Sequence, residues 1–294
     1  MATILDRRRC SDAVMTDSAH AGGADSLVDL DQDHPGFRDA AYRARRNTIA
    51  RAALEYGGGP VPEVPYTEEE HAVWAEVWRA LEPLHQDWAP RGFLVLHHRL
   101  GLDRERIPQL EVVNQRLMEV CGFKMLPVAG LIEARTFLSY LADGVFLSTQ
   151  YIRHHSVPLY TPEPDVVHEL IGHAASFTHP MIVELNRAFG RAARVADDSG
   201  IQRLERVYWW TMEFGALRED GTVKAFGAGL LSSFGELGSF AERAELRPFD
   251  LPTMAVTDYD PTDYQPVVYV AESWEEMYYE LAEWLAGFVG DPSP

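Results

Sequence analysis

The sequence predicts a mainly α protein, one compact domain of packed helices with a few short β-strands. Its 294 residues are 46% hydrophobic, which is enough to bury a large core. Between about residues 35 and 290 the apolar side chains recur mostly at intervals of three and four, the period of a helix that packs on one face. No repeat or linker divides this stretch. We therefore expect one folded domain over residues 31–294 and a disordered leader over residues 1–30.

Clear start and stop signals frame the first helices. Residues 39–56 have helical spacing, and the three glycines and Pro60 that follow end the predicted helix. Thr67 and Glu70 have the spacing of a capping box, and apolar residues continue that helix through Leu84. Residues 107–121 predict another helix, whereas 126–132 contain a proline and a glycine and predict a strand or loop.

The second half follows the same pattern. Residues 134–151, 180–196 and 204–217 predict helices, and the best strand candidates are 223–226 and 266–270. Residues 251–294 contain nine acidic side chains and no Lys or Arg. Because aromatic residues recur among them, this segment predicts a helix with an aromatic face and not a disordered tail.

Composition excludes several classes of protein. The net charge is −19, so the surface would repel nucleic acid and anionic lipid. No run approaches the roughly 18 apolar residues of a membrane span, and the N-terminus lacks the apolar stretch of a secretory signal. Two cysteines, Cys10 and Cys121, cannot build a disulfide framework. A reducing, cytoplasmic location fits best.

The segment 160–173 places two histidines, His168 and His173, five residues apart. In an α-helix this separation puts the imidazoles about 140° apart, whereas the four-residue spacing of a zinc-protease helix puts them about 40° apart. Both can still bind one ion if the helix distorts or ends between them, which Gly172 would permit. Two buried histidines bonded to backbone carbonyls would be the purely structural interpretation.

A third ligand is available in Glu213, a single carboxylate among bulky uncharged residues. A bare buried carboxylate is unfavourable without a partner, and that partner is either a metal ion or an arginine such as Arg187 or Arg206. Two histidines and one carboxylate form the ligand set of non-haem Fe(II) oxygenases. Zinc hydrolases use the same atoms, with Glu169 as the general base.

Nine segments, in order, resemble the pterin-dependent aromatic amino acid hydroxylases, most strongly the phenylalanine-using members. They are DHPGF (33–37), YRARR (42–46), YTEEE (66–70), IPQLE (107–111), PVAG (127–130), TQYIRH (149–154), the metal motif (160–173), FGAGLLSSFGE (226–236) and YVAES (269–273). The resemblance covers about 250 residues. It implies the catalytic domain of that family and ring hydroxylation of L-phenylalanine by a monooxygenase that uses dioxygen and a reduced pterin.

The resemblance also implies specific site residues. It implies Fe(II) held by His168, His173 and Glu213. It implies a tetrahydropterin, tetrahydrobiopterin or a related molecule, bound by Gly130, Leu131, Ile132, Phe137, Glu169 and Tyr208. It implies a substrate site formed by Arg153, Thr161, Pro164, Trp209, Phe214, Gly229 and Ser232. Within it, the Arg153 guanidinium would bind the substrate carboxylate through two donors.

Some positions differ from the family pattern. They are Ala174, Ala175 and Ser176 directly after the second histidine, His155, Glu205 and Val268. Because the first three are smaller than usual, we expect a looser pocket floor. Hydroxylation at the 3-position, giving meta-tyrosine, is therefore an alternative to the 4-position, which gives tyrosine.

Three further alternatives concern the activity. The chain could use tryptophan or tyrosine, although Trp209 favours phenylalanine because tryptophan-using relatives tend to have phenylalanine there. It could be the zinc hydrolase described above or a non-catalytic binding protein. Since the chain begins and stops near the catalytic resemblance, we expect a monomer or weak dimer.

Overall fold

The computed structural model describes residues 27–28 and 30–290, and there the chain is mainly helical, as predicted. The disordered leader expected over residues 1–30 lies almost wholly outside the described residues, as does Cys10. The α-helices are Ala40–Leu54, Glu68–Trp88, Arg91–Leu96, Leu110–Val120, Ala134–Leu141, Pro180–Val195, Asp198–Tyr208, Ala228–Ser232, Phe234–Leu237, Phe240–Arg243, Leu251–Met254 and Trp274–Val289. A 3-10 turn covers His97–Leu100, and two π-helical turns cover His168–Ala174 and Trp209–Glu213.

Several predicted helices are confirmed together with their caps. Asp39 caps Ala40–Leu54 by accepting from the Tyr42 backbone. Thr67 and Glu70 form the expected capping box at the start of Glu68–Trp88. Each cap satisfies backbone N–H groups that have no partner within the first turn.

Two predicted helices are wrong in part. Residues 134–151 were expected to form one helix, but the helix stops at Leu141. Gly144 then adopts a positive φ of 68°, which turns the chain into the strand Val145–Ser148. All four residues of that strand are buried, so its apolar run cannot be distinguished from a buried helix by periodicity alone. Residues 204–217 are likewise helical only to Glu213, and a strand begins at Ala216.

The strands form two small sheets. They are β1 (Lys124–Pro127), β2 (Val145–Ser148), β3 (Ala216–Glu219), β4 (Thr222–Ala225), β5 (Glu245–Pro248) and β6 (Val267–Ala271). β1 and β2 pair in parallel, and the other sheet has the order β4-β3-β6-β5. The predicted strands 223–226 and 266–270 are confirmed within one residue as β4 and β6. Every residue of β6 is buried, which fits its central position between two parallel partners.

Large buried aromatic side chains, including Trp74, Phe123 and Trp210, belong to one continuous hydrophobic core. The acidic C-terminal segment forms the predicted helix, Trp274–Val289, and packs on Pro180–Val195. Its Trp274, Tyr278, Trp284 and Phe288 contact the core. Within the described residues, each helix is too short or too polar to cross a lipid bilayer.

Candidate metal centre and active site

The two histidines singled out by the sequence lie on a π-helical turn, His168–Ala174. In a π-helix the backbone bonds join residues five apart, so residues with that spacing lie on the same side. The Nε2 atoms of His168 and His173 are accordingly 3.0 Å apart. The wider turn explains how a spacing unsuited to an α-helix can bring two imidazoles to one point.

Of the two possibilities expected near Gly172, the structure shows a distorted helix, since this residue lies within the π-helical turn. The helix does not end there. A Cβ added at Gly172 would lie 2.6 Å from the carbonyl oxygen of Ala228 and 3.1 Å from its Cβ, which is closer than ordinary contact. The glycine therefore allows the π-helical turn to approach the helix Ala228–Ser232.

Glu213 ends the second π-helical turn, Trp209–Glu213. Its Oε1 lies 3.0 Å from His173 Nε2, and its Oε2 lies 3.4 Å from His168 Nε2. The alternative arginine partners are wrong: Arg187 pairs with Glu184, and Arg206 pairs with Asp258.

The three ligand atoms have the spacing that one metal ion requires. Metal bonds of about 2.0–2.2 Å to nitrogen and oxygen place neighbouring ligand atoms about 3.0–3.5 Å apart. His168 Nδ1 lies 3.0 Å from the Ser232 hydroxyl, which donates its own proton to the Ala228 carbonyl at 2.7 Å. Ser232 therefore accepts from Nδ1–H, which leaves the His168 Nε2 lone pair for a metal.

Burial and mutual charge set the protonation of these groups. Burial, with His173 nearby, lowers the pKa of His168 to about 4, so this imidazole is neutral near pH 7. Burial opposes the charged form of His173, but the Glu213 carboxylate outweighs it and raises the pKa of His173. Burial alone would raise the pKa of Glu213, whereas the two imidazoles lower it. Glu213 is thus ionised, as a metal-binding carboxylate must be.

A cavity of about 400 Å³ opens beside His168 and Glu213. Most of the predicted cofactor and substrate residues line it: Leu131, Ile132, Phe137, Arg153, Thr161, Pro164, Tyr208, Trp209, Phe214, Gly229 and Ser232. Gly130, which precedes Leu131, and Glu169 are not among the lining residues. The structure therefore gathers most of the expected residues around one space and leaves two at its margin.

Arg153 is buried and already has a partner at the cavity wall. Its Nε and Nη2 donate to the two carboxylate oxygens of Asp165, each at 2.9 Å. The Arg153 backbone N–H also donates to Asp165 at 2.8 Å, and the paired guanidinium holds the pKa of Asp165 below its usual range although burial opposes this. Asp165 orients the arginine, a function that was not predicted from the sequence, and its Oδ1 also accepts from the His168 backbone N–H at 3.3 Å. Unlike Glu213, Asp165 is not an isolated carboxylate, since Glu163 and Glu169 lie nearby in the sequence.

Aromatic rings form another part of the cavity wall. Trp209 stacks on Tyr259 with ring centroids 4.2 Å apart, and its indole N–H donates to Gln265 at 3.0 Å. Phe214 lies 4.7 Å from Trp209, centroid to centroid. The indole is therefore fixed in one orientation. Tyr259 also lines the cavity, although its spacing in the sequence gave no sign of this.

Glu169 is buried outside the cavity lining and bonds to Thr149. Its Oε1 accepts from the Thr149 backbone N–H at 3.0 Å and hydroxyl at 2.9 Å. Burial raises the pKa of Glu169 to about 7. The zinc hydrolase alternative needs this carboxylate as a general base in contact with substrate, and the geometry does not provide that contact.

The unusual small residues after His173 do not form the cavity floor as expected. Ala174 and Ala175 are buried, and Ala175 packs against Ala89, Phe93 and Leu231. Of the positions that differ from the family pattern, Glu205 does line the cavity. It accepts from the Tyr259 hydroxyl at 2.8 Å.

Residues 16–289 match the family model of the biopterin-dependent aromatic amino acid hydroxylases. The chain belongs to this family. Mouse tyrosine 3-monooxygenase is 47% identical over 254 residues, covering 84% of this chain and 51% of that relative. Human phenylalanine-4-hydroxylase is 44% identical over 255 residues, covering 85% of this chain and 56% of that relative. The chain thus spans about half the length of the curated relatives it matches.

Solved structures of aromatic amino acid hydroxylases have the same fold. The phenylalanine hydroxylase of Chromobacterium violaceum, with bound iron(III) and 7,8-dihydrobiopterin, matches with a TM-score of 0.71 and 30% identity, covering 78% of this chain and 85% of that one. The phenylalanine hydroxylase of Legionella pneumophila has a TM-score of 0.71 and 29% identity, covering 78% and 94%. The family and fold that the sequence resemblance implied are therefore confirmed.

Proposed function

We propose that this chain is an Fe(II)- and tetrahydropterin-dependent monooxygenase that hydroxylates the ring of L-phenylalanine. The observation that carries the proposal is the meeting of His168, His173 and Glu213, whose ligand atoms lie 3.0 to 3.4 Å apart at the edge of a cavity lined by aromatic residues. Membership of a biopterin-dependent family supports it.

The ligand set fits iron. Two imidazoles and one carboxylate, without a thiolate, leave open positions on Fe(II). When bound, iron supplies the place where dioxygen is activated, and the reduced pterin supplies the electrons. The protein groups hold and orient: Ser232 fixes the His168 tautomer through the 3.0 Å contact to Nδ1.

The amino acid would bind through its carboxylate to Arg153. Asp165 accepts from Nε–H and from one N–H of Nη2, so the second N–H of Nη2 and both N–H groups of Nη1 remain for a ligand. The contact of Nη1 with the Pro158 carbonyl is long, at 3.5 Å. A buried, paired guanidinium keeps its position, which fixes where the α-carbon of the substrate lies. Thr161 and Ser232 line the same cavity and would supply further polar contacts.

The substrate ring would lie among Trp209, Phe214, Pro164 and Gly229, with His168 as one wall. Stacking on Tyr259 and the bond to Gln265 hold Trp209 in place. A fixed indole narrows this side of the cavity, which favours a single benzene ring over the larger indole of tryptophan.

The pterin would bind at the other end of the cavity. Phe137 is half-buried and lines it with Leu131, Ile132 and Tyr208. A flat bicyclic molecule gains contact with an aromatic face. The Tyr208 hydroxyl donates to Asn186 at 3.0 Å, so Tyr208 would contribute its ring and not its hydroxyl. Gly130 and Glu169, outside the lining, would act through the backbone and packing around this end.

The decisive experiment supplies Fe(II), tetrahydrobiopterin and oxygen to purified protein with phenylalanine, tyrosine or tryptophan in separate reactions. We expect hydroxylated phenylalanine as the main product, identified by mass spectrometry. Chromatography against authentic tyrosine and meta-tyrosine then gives the ring position. Glu213→Gln, which keeps the side-chain size but removes the charge, should lose iron and turnover. Protein that binds iron and pterin but yields no hydroxylated amino acid would refute the proposal.

Tyrosine is the second candidate substrate, since tyrosine 3-monooxygenases are among the relatives. It would require the ring hydroxyl to find a polar partner near Trp209 and Phe214. A ratio of kcat/KM values for tyrosine over phenylalanine above one would select it.

A further inference from the structure

A second group of potential metal ligands lies on the surface, away from the iron ligands. Asp39, His154 and His155 each offer one ligand atom, and these atoms all lie within 4.8 Å of one another. Glu69 lies beside them, with its Oε2 3.4 Å from His155 Nδ1. We call these four residues the Asp39 cluster.

The backbone brings the cluster together from three parts of the chain. Asp39 is the cap of the helix Ala40–Leu54, and Glu69 lies in the first turn of Glu68–Trp88. His154 and His155 follow Arg153 directly. An ion bound here would therefore join the starts of two helices to the segment that carries the arginine of the cavity.

Each side chain is placed to offer a ligand atom. Asp39 uses Oδ1 to cap its helix, accepting from Tyr42 at 3.0 Å, and directs Oδ2 at His154 Nε2, 3.3 Å away. The Tyr42 ring packs edge-on against His154 with centroids 4.9 Å apart. Capping and packing thus fix two of the ligands in advance.

The tautomer of His154 can change to suit an ion. Without one, the Ser156 N–H donates to Nδ1 at 3.2 Å, and Nε2–H faces Asp39. The Ser156 hydroxyl lies 2.7 Å from Nδ1 and can accept a ring proton there instead. That rearrangement frees the Nε2 lone pair for a metal.

The exposed side chains of Asp39 and His155 can rotate to bring their ligand atoms closer to His154. Zinc bonds of about 2.0–2.2 Å place tetrahedral ligand atoms about 3.3–3.5 Å apart. The ligand atoms of the cluster are up to 4.8 Å apart, so the widest separation must contract by up to about 1.4 Å. His154 is 8% exposed, but the Asp39 and His155 side chains are 34% and 43% exposed and can rotate. Contraction costs less at such positions than within a packed core.

Local charge also favours a cation. Three glutamates open the helix Glu68–Trp88. Glu68 pairs with Arg106 and Glu70 with Arg45, whereas the described ion pair of Glu69 is with His155. Its carboxylate can orient the His155 ring and offset the charge of an ion, a common arrangement behind metal-binding histidines.

We propose that the Asp39 cluster is a second metal site, specific for a borderline divalent cation such as Zn²⁺, with His154, His155 and Asp39 as ligands and Glu69 as the supporting carboxylate. Two imidazoles and one carboxylate suit zinc, and water completes its coordination. His155 decides whether the site exists, because without it one nitrogen and one carboxylate remain. The site is independent of the iron chemistry proposed above.

Equilibrium zinc uptake by the purified, folded chain tests this proposal. The iron ligands also bind zinc, so the informative quantity is the difference between wild type and variant at saturation. His155→Ala should take up one zinc ion fewer per chain than wild type. Its affinity for that ion should fall by more than the 10–100-fold that loss of a supporting residue costs, so the site stays empty at a zinc concentration that just saturates wild type. Asp39→Asn should behave alike, because asparagine preserves the helix cap while removing the charge.

His98→Ala is the matched control. His98 is an exposed histidine that also follows another histidine, His97, but the pair is not in either group of potential ligands. It should bind as much zinc as wild type. Zinc should also raise the Tm of wild type and His98→Ala more than that of His155→Ala.

The proposal is overturned if His155→Ala and wild type bind the same number of zinc ions with the same affinity. One zinc ion per two chains, with dimer formation in sedimentation, would also overturn it, since the ligands would then come from two copies. Urea unfolding without zinc checks that each variant is folded. If Asp39→Asn does not fold, the comparison of His155→Ala with His98→Ala decides alone.

Discussion

Replacing Gly172 by alanine tests whether the close contact between the π-helical turn and the helix Ala228–Ser232 is needed to position the metal ligands. The new Cβ would lie 2.6 Å from the Ala228 carbonyl oxygen, whereas ordinary contact begins at 3.4 Å. The two segments must separate by about 0.8 Å, since both contacting atoms are close to backbone and cannot rotate away. Overpacking of this kind costs about 1–3 kcal/mol, so we expect the urea midpoint to fall by about 0.3–1 M.

The same separation should weaken iron binding. Ala228 begins the helix that carries Ser232, and Ser232 fixes the His168 tautomer. Stretching that 3.0 Å contact by a large fraction of an ångström breaks it. Loss of such a supporting bond lowers metal affinity about 10–100-fold. Competition with a chromophoric chelator under anaerobic conditions measures the change.

Gly287→Ala is the matched control for this experiment. Gly287 lies in the helix Trp274–Val289, and a Cβ there would meet nothing within 4 Å. Alanine should therefore stabilise the chain by up to about 1 kcal/mol and leave iron affinity unchanged. If Gly172→Ala behaves like Gly287→Ala in both assays, the close approach does not position the ligands and the reasoning is refuted.

Two other predictions concern buried charges. Burial lowers the pKa of His85 to about 4 in the folded chain, whereas the same group in the unfolded chain has a pKa near 6.5. The contribution of His85 to the free energy of unfolding is therefore fully present above pH 6.5. It declines by about 3 kcal/mol as the pH falls to 4. Urea unfolding at pH 7 and 4.5 should show a smaller loss in His85→Gln, and an equal loss would exclude this histidine as the source. Asp165→Asn should cost about 3–5 kcal/mol, because it leaves the Arg153 guanidinium buried without its charge partner. It should also raise the KM for phenylalanine more than it lowers kcat, and unchanged stability would contradict the buried-pair interpretation.

The sequence was most informative where local chemistry decides structure. The cap at Asp39 and the capping box of Thr67 and Glu70 follow from side chains that bond to the backbone nearby. The strand β2 was missed because its residues are buried on both faces, which removes the alternation that identifies a strand.

The candidate site divides in the same way. His168, His173 and Glu213 could be selected from spacing and from an isolated carboxylate. The Asp165 partner of Arg153 and the Tyr259 support of Trp209 could not be selected in this way. These contacts depend on the folded structure, because the paired residues are 12 and 50 positions apart in the sequence. The role of Gly172 likewise depends on Ala228, a neighbour that periodicity cannot identify.

The π-helical turn also ties the geometry of this metal centre to the number of residues between His168 and His173. All three ligands would survive the deletion of one residue between His168 and His173, yet the remaining interval of four would match an ordinary α-helix. It would then equal the histidine interval of zinc proteases. A one-codon deletion would thus give this centre the histidine spacing of a zinc protease while keeping all three ligand residues.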